Sequence, residues 1–502
     1  MPLWTEVILG VHFLLLLVLS IFGMHRLSMV FRWFLHKNHS VIINNRFAEF
    51  PQITVQIPLY NERMVAQRIV DAVCAFDYPP DRLQIQIVDD STDETFDLIA
   101  ARVAKHQKMG INIQHVHRVN RQGYKAGALK EAMATATGEF IAIFDADFLP
   151  QPSLLRDTID HCIDPDVGMV QFRWEHLNRS NSKLTQTQAI MLDAHFALEQ
   201  QVRSSSGLFL NFNGTAGFWR TKAIIDAGHW SSDTLTEDLD LSYRAQIRGW
   251  KLRYLNDVSC PGELPADMNA FKSQQHRWAK GGIQVMLKLL KNIWHSNFSL
   301  KHKLESTFHL SINLAYLVML IDTIFLLVPS LWIREYYHLE HMFWIDVPLL
   351  ILASGGHLIY LIFGQVALGN STLTAIFMVP RLMLVGIQLA FNNARAACEA
   401  LLGQQSEFVR TPKTGDFGNQ ELRLVAKELP EPISTLFSLQ LYNAVAPKGA
   451  LIELLLAVVY CVVFMWAVQN ENWFMLPFSM LLMYGFAEAA WHSYTGQLKL
   501  KS

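Results

Sequence analysis

Residues 50–282 alternate short apolar runs with helical periodicity, while long, nearly uncharged apolar segments lie on both sides of them. The second kind of segment is stable in lipid, where charge is costly; the first kind builds a water-compatible domain. The chain is thereby constrained to be an α/β unit tied to an α-helical membrane region. A hydrophobic share of 51% against 17% charged residues fits that division of 502 residues. The net charge of −2 leaves no basic excess to neutralise phosphates, so nucleic acid is not an expected partner. Cys74, Cys162, Cys260, Cys398 and Cys461 are scattered without a CxxC pair, which argues against a disulfide framework or a cysteine zinc site. The histidines show no ligand-like spacing and are taken as non-metal.

Within the water-compatible block, strand candidates fall at 53–58, 84–88, 113–116, 140–144 and 169–172. Helical segments at 64–76, 94–105 and 125–136 separate several of them. Such alternation gives a mostly parallel sheet covered on both faces, with ligands bound where strands end.

Apolar spans are expected at 8–24, 310–333, 343–363, 451–468 and 473–490. The first lacks a basic leader and a small-residue cleavage site, and Arg26, Arg32 and Lys37 follow it, so it is expected to be a retained span. Segment 374–394 contains Pro380, Arg381, Asn392 and Asn393 and is expected to lie in the interface. Five spans then place the soluble block and the C-terminal Lys499 and Lys501 on the cytoplasmic side. The expected divisions are an N-terminal span (1–30), a catalytic domain (45–290), two spans and an interfacial helix (291–400), a cytoplasmic loop region (401–447) and two final spans (448–502).

Chemistry concentrates at strand ends. Asp145 and Asp147 close an apolar strand two residues apart, so both carboxylates can reach one Mg2+ or Mn2+ ion, although an isolated DxD is more often a solvated turn. Asp89 and Asp90 end another strand, and Tyr60 and Glu62 follow the first; three polar strand ends favour a nucleotide pocket. Lys125 opens a helix in Arg121-Gln-Gly-Tyr-Lys125-Ala-Gly127 and could meet a diphosphate. Thr236-Glu237-Asp238 precedes a helix. It supplies either a cap with favourable first-turn charges or, through Asp238, a general base for an acceptor hydroxyl. Gln274, Arg277 and Trp278 lie on a helix running to about 290, where a guanidinium fork could hold phosphate and an indole could stack on a sugar.

Together Asp89-Asp90, Asp145-Ala-Asp147, Thr236-Glu-Asp238 and Gln274-x-x-Arg277-Trp278 resemble the D, DxD, TED, QxxRW signature of processive family 2 glycosyltransferases. The strings Asp89-Asp-Ser-Thr-Asp93, Gly123-Tyr-Lys-Ala-Gly-Ala-Leu129 and Phe212-Asn-Gly-Thr-Ala-Gly217 are similar to the cellulose-synthase-like A and C groups and their bacterial relatives, over about 51–290. The resemblance implies a GT-A (Rossmann-like) domain and an inverting, metal-dependent hexosyltransferase. Its product would be a β-linked glucan, mannan or glucomannan, made from UDP-glucose or GDP-mannose. It implies Asp238 as base, Asp147 on the metal, and Asp145, Asp89 and Asp90 on the nucleotide or donor sugar. Glu237, Gln274, Arg277 and Trp278 would hold the diphosphate and acceptor, with Asn213 and Thr215 lining the acceptor site. Phe408, Thr411 and Lys413 are similar to a gating loop, with Val409, Arg410 and Pro412 departing from the family string. Two other readings stand beside polymerisation: transfer of one sugar to a membrane lipid, and a non-catalytic transporter or scaffold. The membrane would be the inner or plasma membrane in a bacterium and the Golgi in a eukaryote.

Overall fold

A computed structural model describes residues 1–37, 43, 45–408, 411, 413, 415, 449–473 and 475–501. Val409, Arg410, Pro412 and most of the expected loop region at 401–447 lie outside the described residues.

Seven strands form one sheet: β1 (Ile53–Leu59), β2 (Leu83–Asp89), β3 (Ile113–His117), β4 (Phe140–Ile143), β5 (Val167–His176), β6 (Gly217–Arg220) and β7 (Lys251–Gly262). Their order is β3-β2-β1-β4-β6-β5-β7. The pairs β2–β3, β1–β2 and β1–β4 are parallel, as the strand–helix alternation predicts. β6 then enters antiparallel between β4 and β5, and β7 adds a parallel edge to β5. β6 and β7 are additions to the five expected strands.

Alternate residues of β1 face opposite layers. Ile53, Val55 and Ile57 pack with Val65, Ile69 and Val73, the last two on the helix Ala66–Cys74. Thr54 and Gln56 face the other way yet are equally buried. Their donors bond laterally: Thr54 Oγ1 donates to Gln84 Oε1 at 2.7 Å, and Gln56 Nε2 donates to Gln86 Oε1 at 2.9 Å. A buried amide is tolerated on those terms. The polar alternation therefore marks a side-chain ladder inside a two-faced sheet, not a solvated face.

Among the described residues, four helices are long and apolar enough to cross a membrane: Leu3–His36, Leu314–Tyr336, Phe343–Ala367 and Ala450–Gln469. Leu14, Leu17, Val458 and Val462 are exposed on them, as lipid-facing side chains would be. The fifth expected segment falls in the helix Met475–Lys501, which lies against Ala450–Gln469. It carries Glu488, which Arg381 and Gln388 hold at 2.9 and 2.7 Å. Helix Leu3–His36 crosses the third of these spans at glycine: a Cβ on Gly23 would fall 1.9 Å from the Leu352 carbonyl oxygen, and one on Gly356 2.5 Å from that of Gly23. Small residues permit such close backbone contact in lipid. The expected interfacial segment is the helix Val379–Leu401, preceded by the short helix Thr372–Phe377, with Pro380 in its first turn.

The sheet-bearing unit is tied to the helix Leu3–His36 by a buried ion pair. Arg26 Nη1 meets Glu199 Oε2 at 2.7 Å, and Arg203 holds the other oxygen of Glu199 at 2.9 Å. Glu199 sits in a π-helical turn, Ala194–Gln200, within the helix that follows β5.

Candidate active site

One cleft lies over the ends of β1, β2 and β4. Its lining includes Tyr60, Glu62, Asp90, Lys125, Asp145, Asp147, Asn213, Glu237, Asp238, Gln274, Arg277, Trp278, Phe408, Thr411 and Lys413. Residues separated by up to 353 positions in the chain thus meet in one place, and among the expected site residues only Asp89 and Thr215 stand outside the lining. Asp89 ends β2 and is fully buried, with its carboxylate 2.9 Å from His115 Nε2. Successive strand residues point to opposite faces, so Asp90 can reach the cleft only if Asp89 turns away. Thr215 works one layer back: its hydroxyl accepts the backbone N–H of Asp145 at 2.8 Å and fixes that strand end.

Asp145 and Asp147 lie in the turn just after β4, which the Phe148 N–H closes by donating to the Asp145 carbonyl at 3.0 Å, and both line the cleft. Each is met by an ammonium group. Lys125 Nζ lies 2.6 Å from Asp145 Oδ1 and donates to the Gly214 carbonyl at 2.9 Å, while Lys413 Nζ contacts Asp147 and the Glu263 carbonyl. Lys125 reaches this point because Gly123, at φ +73°, turns the chain into the helix Tyr124–Ala132. Gly127 serves packing: a Cβ there would strike the Gln122 carbonyl oxygen at 2.1 Å. The paired carboxylates offer only hard oxygen donors and already draw two cations, which fits a divalent metal of the Mg2+ or Mn2+ type.

Asp238 stands in the first turn of the helix Glu237–Ile247. Thr236 occupies the cap position, but its side chain makes no capping hydrogen bond. Leu239 N–H donates to Asp238 Oδ1 at 2.8 Å and orients the carboxyl. Burial, followed by the adjacent Glu237 carboxylate, pushes the Asp238 carboxyl up to about 7. Burial also raises Glu237 and Asp145. Burial opposes the charge of Lys125, yet Asp145 and Glu237 hold its ammonium above the ordinary range. A half-buried carboxyl near 7, opposite a metal-type acidic pair, has the properties of a general base.

Gly214 lies between these groups at φ +80°, where a Cβ would sit 3.1 Å from Asp238 Oδ2 and 3.4 Å from Lys125 Nζ. A left-handed conformation costs a non-glycine residue about 1–2 kcal/mol. Gly214→Ala is therefore expected to destabilise the fold by about 1–2 kcal/mol, seen as a lower apparent melting temperature in detergent; an unchanged melting temperature would mean that the backbone carries no such strain.

The helix Met268–His295, capped by Asp267, carries Gln274, Arg277 and Trp278 into the cleft. It extends further in both directions than the sequence suggests. Trp278 lies 6.4 Å from Trp174 between ring centroids, and Trp174 stacks on Phe196 at 4.9 Å. Such faces suit a sugar ring. The Arg277 guanidinium lies 4.4 Å over the Phe408 ring, and Tyr124 stacks on the same ring at 6.0 Å, so the described loop residues are seated in the cleft. Arg121 covers the Tyr60 ring at 3.5 Å and donates to the Phe408 carbonyl. Arg121, Trp174 and Glu263 line the cleft without having been singled out as site residues.

A sheet of this order, with carboxylates at adjoining strand ends above a single cleft, has the GT-A architecture of nucleotide-sugar-dependent transferases. The family model described as "Glycosyltransferase like family 2" matches residues 51–281. The chain is 45% identical over 249 residues to glucomannan 4-beta-mannosyltransferase 1 of Oryza sativa subsp. japonica, covering 49% of this chain and 48% of that protein. It is 44% identical over 251 residues to glucomannan 4-beta-mannosyltransferase 2 of Arabidopsis thaliana, covering 49% and 47%. With probable glucomannan 4-beta-mannosyltransferase 11 of Oryza sativa subsp. japonica it shares 36% identity over 405 residues, 76% of this chain and 68% of that protein. The chain belongs to glycosyltransferase family 2. In the first two of these alignments it spans about half the length of the relative. A solved mannosyltransferase from Pyrobaculum calidifontis, in complex with GDP-mannose and Mn2+, shares the fold at a TM-score of 0.53 and 18% identity, covering 78% of this chain and all of that one.

Proposed function

We propose that this protein is a membrane-embedded, inverting hexosyltransferase that extends a β-linked mannan or glucomannan from a nucleotide sugar. The observation that carries this reading is the convergence of Asp145, Asp147 and Asp238 on one cleft walled by Trp278 and Phe408. The similarity to glucomannan 4-beta-mannosyltransferases supports GDP-mannose as donor, with UDP-glucose for mixed chains. The Asp238 carboxylate takes the proton of an acceptor hydroxyl. That oxygen attacks the anomeric carbon as its bond to the diphosphate breaks, and attack from the opposite face inverts the centre. Lys125 and Arg277 balance the charge gathering on the leaving diphosphate. A divalent ion, Mg2+ or Mn2+, held by Asp145 and Asp147 would neutralise the diphosphate further.

Trp174 and Trp278 form the acceptor platform, and Phe408, Thr411 and Lys413 form a gate over it. The catalytic domain faces the cytoplasm, and the product passes through the protein's own spans, in an inner or plasma membrane or in the Golgi.

Purified full-length protein supplied with GDP-mannose or UDP-glucose tests this. Release of GDP and a long product cleaved by an endo-β-mannanase are expected, stopped by chelation and restored by Mn2+ or Mg2+. A lipid bearing a single sugar as the only product would overturn the polymerase reading.

A further inference from the structure

Outside the cleft, on the open edge of the sheet, β3 ends in His115-Val116-His117. The sequence spacing alone does not mark these as ligands, but strand geometry does more. His115 and His117 alternate on β3 and therefore share a face, and register places His117 opposite Asp89 on β2. Asp89 Oδ2 lies 2.9 Å from His115 Nε2 and 3.8 Å from His117 Nδ1. The three potential ligand atoms all lie within 4.8 Å of one another.

We infer that Asp89, His115 and His117 form a second metal site, for a borderline ion of the Zn2+, Co2+ or Ni2+ type, distinct from the acidic pair in the cleft. Ligands about 2.0–2.1 Å from a tetrahedral ion are separated by about 3.3 Å; the observed 2.9 and 3.8 Å lie on either side of that spacing. Two imidazoles and one carboxylate are the donors such ions prefer, whereas Mg2+ prefers oxygen. The carboxylate is oriented from behind: Ser91 N–H donates to Asp89 Oδ1 at 2.8 Å, leaving Oδ2 toward the histidines. Outer hydrogen bonds of this kind are how proteins aim metal ligands. Phe96 lies 5.1 Å from the His115 ring and 4.7 Å from the His117 ring, limiting their rotation. His117 remains one-third exposed, which provides an entry path and a position for a water ligand.

The site adjoins the nucleotide pocket through the backbone. Arg118 N–H donates to the Asp89 carbonyl at 2.9 Å, and its guanidinium grips Asp90 in the cleft wall at 2.7 and 2.6 Å. An ion on Asp89 would therefore brace the strand ends that present Asp90.

The test uses the full-length protein, prepared without a histidine tag, stripped with chelator and titrated with Co2+ in the absence of nucleotide. One equivalent is expected to bind with the intense visible bands of a four-coordinate N/O site. His115→Asn and His117→Asn keep polar side chains on the strand and are each expected to weaken binding at least about tenfold, with circular dichroism unchanged. Asp145→Asn combined with Asp147→Asn should leave the bands intact. Absence of the bands, their persistence at full affinity in both histidine variants, or their loss only in the Asp145/Asp147 variant would overturn the assignment. Because it does not depend on the transferred sugar, failure of the proposed polymerase activity would leave this result standing.

Discussion

Asp238→Asn is expected to reduce sugar transfer by at least about 100-fold and up to about 10⁴-fold, the range associated with a positioned general base, while nucleotide binding persists. The amide is nearly isosteric and can still accept the Leu239 N–H that orients the side chain at 2.8 Å. It cannot take a proton at useful pH. The proposed nucleotide contacts, at Asp90, Lys125 and Asp145, keep their side chains in this variant, so affinity measured by calorimetry should change little. The pH dependence adds a separate check. Burial and Glu237 place the Asp238 carboxyl near 7, and only its ionised form accepts a proton. Transfer should therefore fall about tenfold per pH unit below that value and level off above it. Transfer by Asp238→Asn within a few-fold of wild type would remove Asp238 from the reaction. A flat profile from pH 5 to 8 would separately contradict its titration near 7.

The parallel half of the sheet was legible because β4 reads as an apolar run and β1 and β2 place Ile, Val or Leu at alternate positions, each bounded by turn or helix signals. β6 was hidden for the opposite reason. It has four residues, Gly217-Phe-Trp-Arg220, too few to show a period, and long-range pairing with β4 and β5 makes it a strand. β7 contains Asn256, Asp257 and Pro261, which sequence rules count against a strand. Its edge position leaves one side without a strand partner, so those residues are tolerated.

Two of the missed site residues, Glu263 and Trp174, follow from the missed β7 and from a β5 longer than expected. Glu263 comes directly after β7, and once that strand is overlooked a carboxylate at its end looks like any loop acid. Trp174 lies within β5, two residues beyond the expected strand, and so was not singled out as part of the cleft wall. The side-chain direction of Asp89 and Asp90 shows another limit. A motif groups neighbouring carboxylates, whereas a strand sends them to opposite faces, and only Asp90 reaches the cleft. Asp145 and Asp147 escape that problem because the chain turns just after β4, and that turn leaves both of them lining the cleft. The Phe408–Lys413 loop is different again. Its string resembles a gating loop, but the placement of Phe408 at Arg277 and Lys413 at Asp147 depends on contacts between residues more than 130 positions apart, which no local pattern encodes.

Lys272→Met is expected to produce the largest loss of stability, with a fall of several degrees in apparent melting temperature in detergent. Lys272 lies on the helix that presents Gln274, Arg277 and Trp278, and is fully buried. Its ammonium meets Glu453 Oε1 at 2.6 Å and Ser493 Oγ at 3.0 Å, and Ser493 donates to the other oxygen of Glu453 at 2.7 Å. Glu453 belongs to the helix Ala450–Gln469 and Ser493 to Met475–Lys501, so this one pair joins the site helix to two helices of the membrane region. Removing only the lysine leaves a carboxylate buried without its counter-charge, which typically costs about 3–5 kcal/mol. Replacing both partners, as Lys272→Met with Glu453→Leu, removes the stranded charge and should recover most of the lost melting temperature. Transfer should recover less, because Met and Leu can fill the space but do not fix the rotation of the helix that aims Arg277. If the double variant melts no higher than Lys272→Met, the two side chains are not coupled. Recovery of stability without recovery of transfer would identify the ion pair as the element that sets the register between the catalytic domain and its membrane helices.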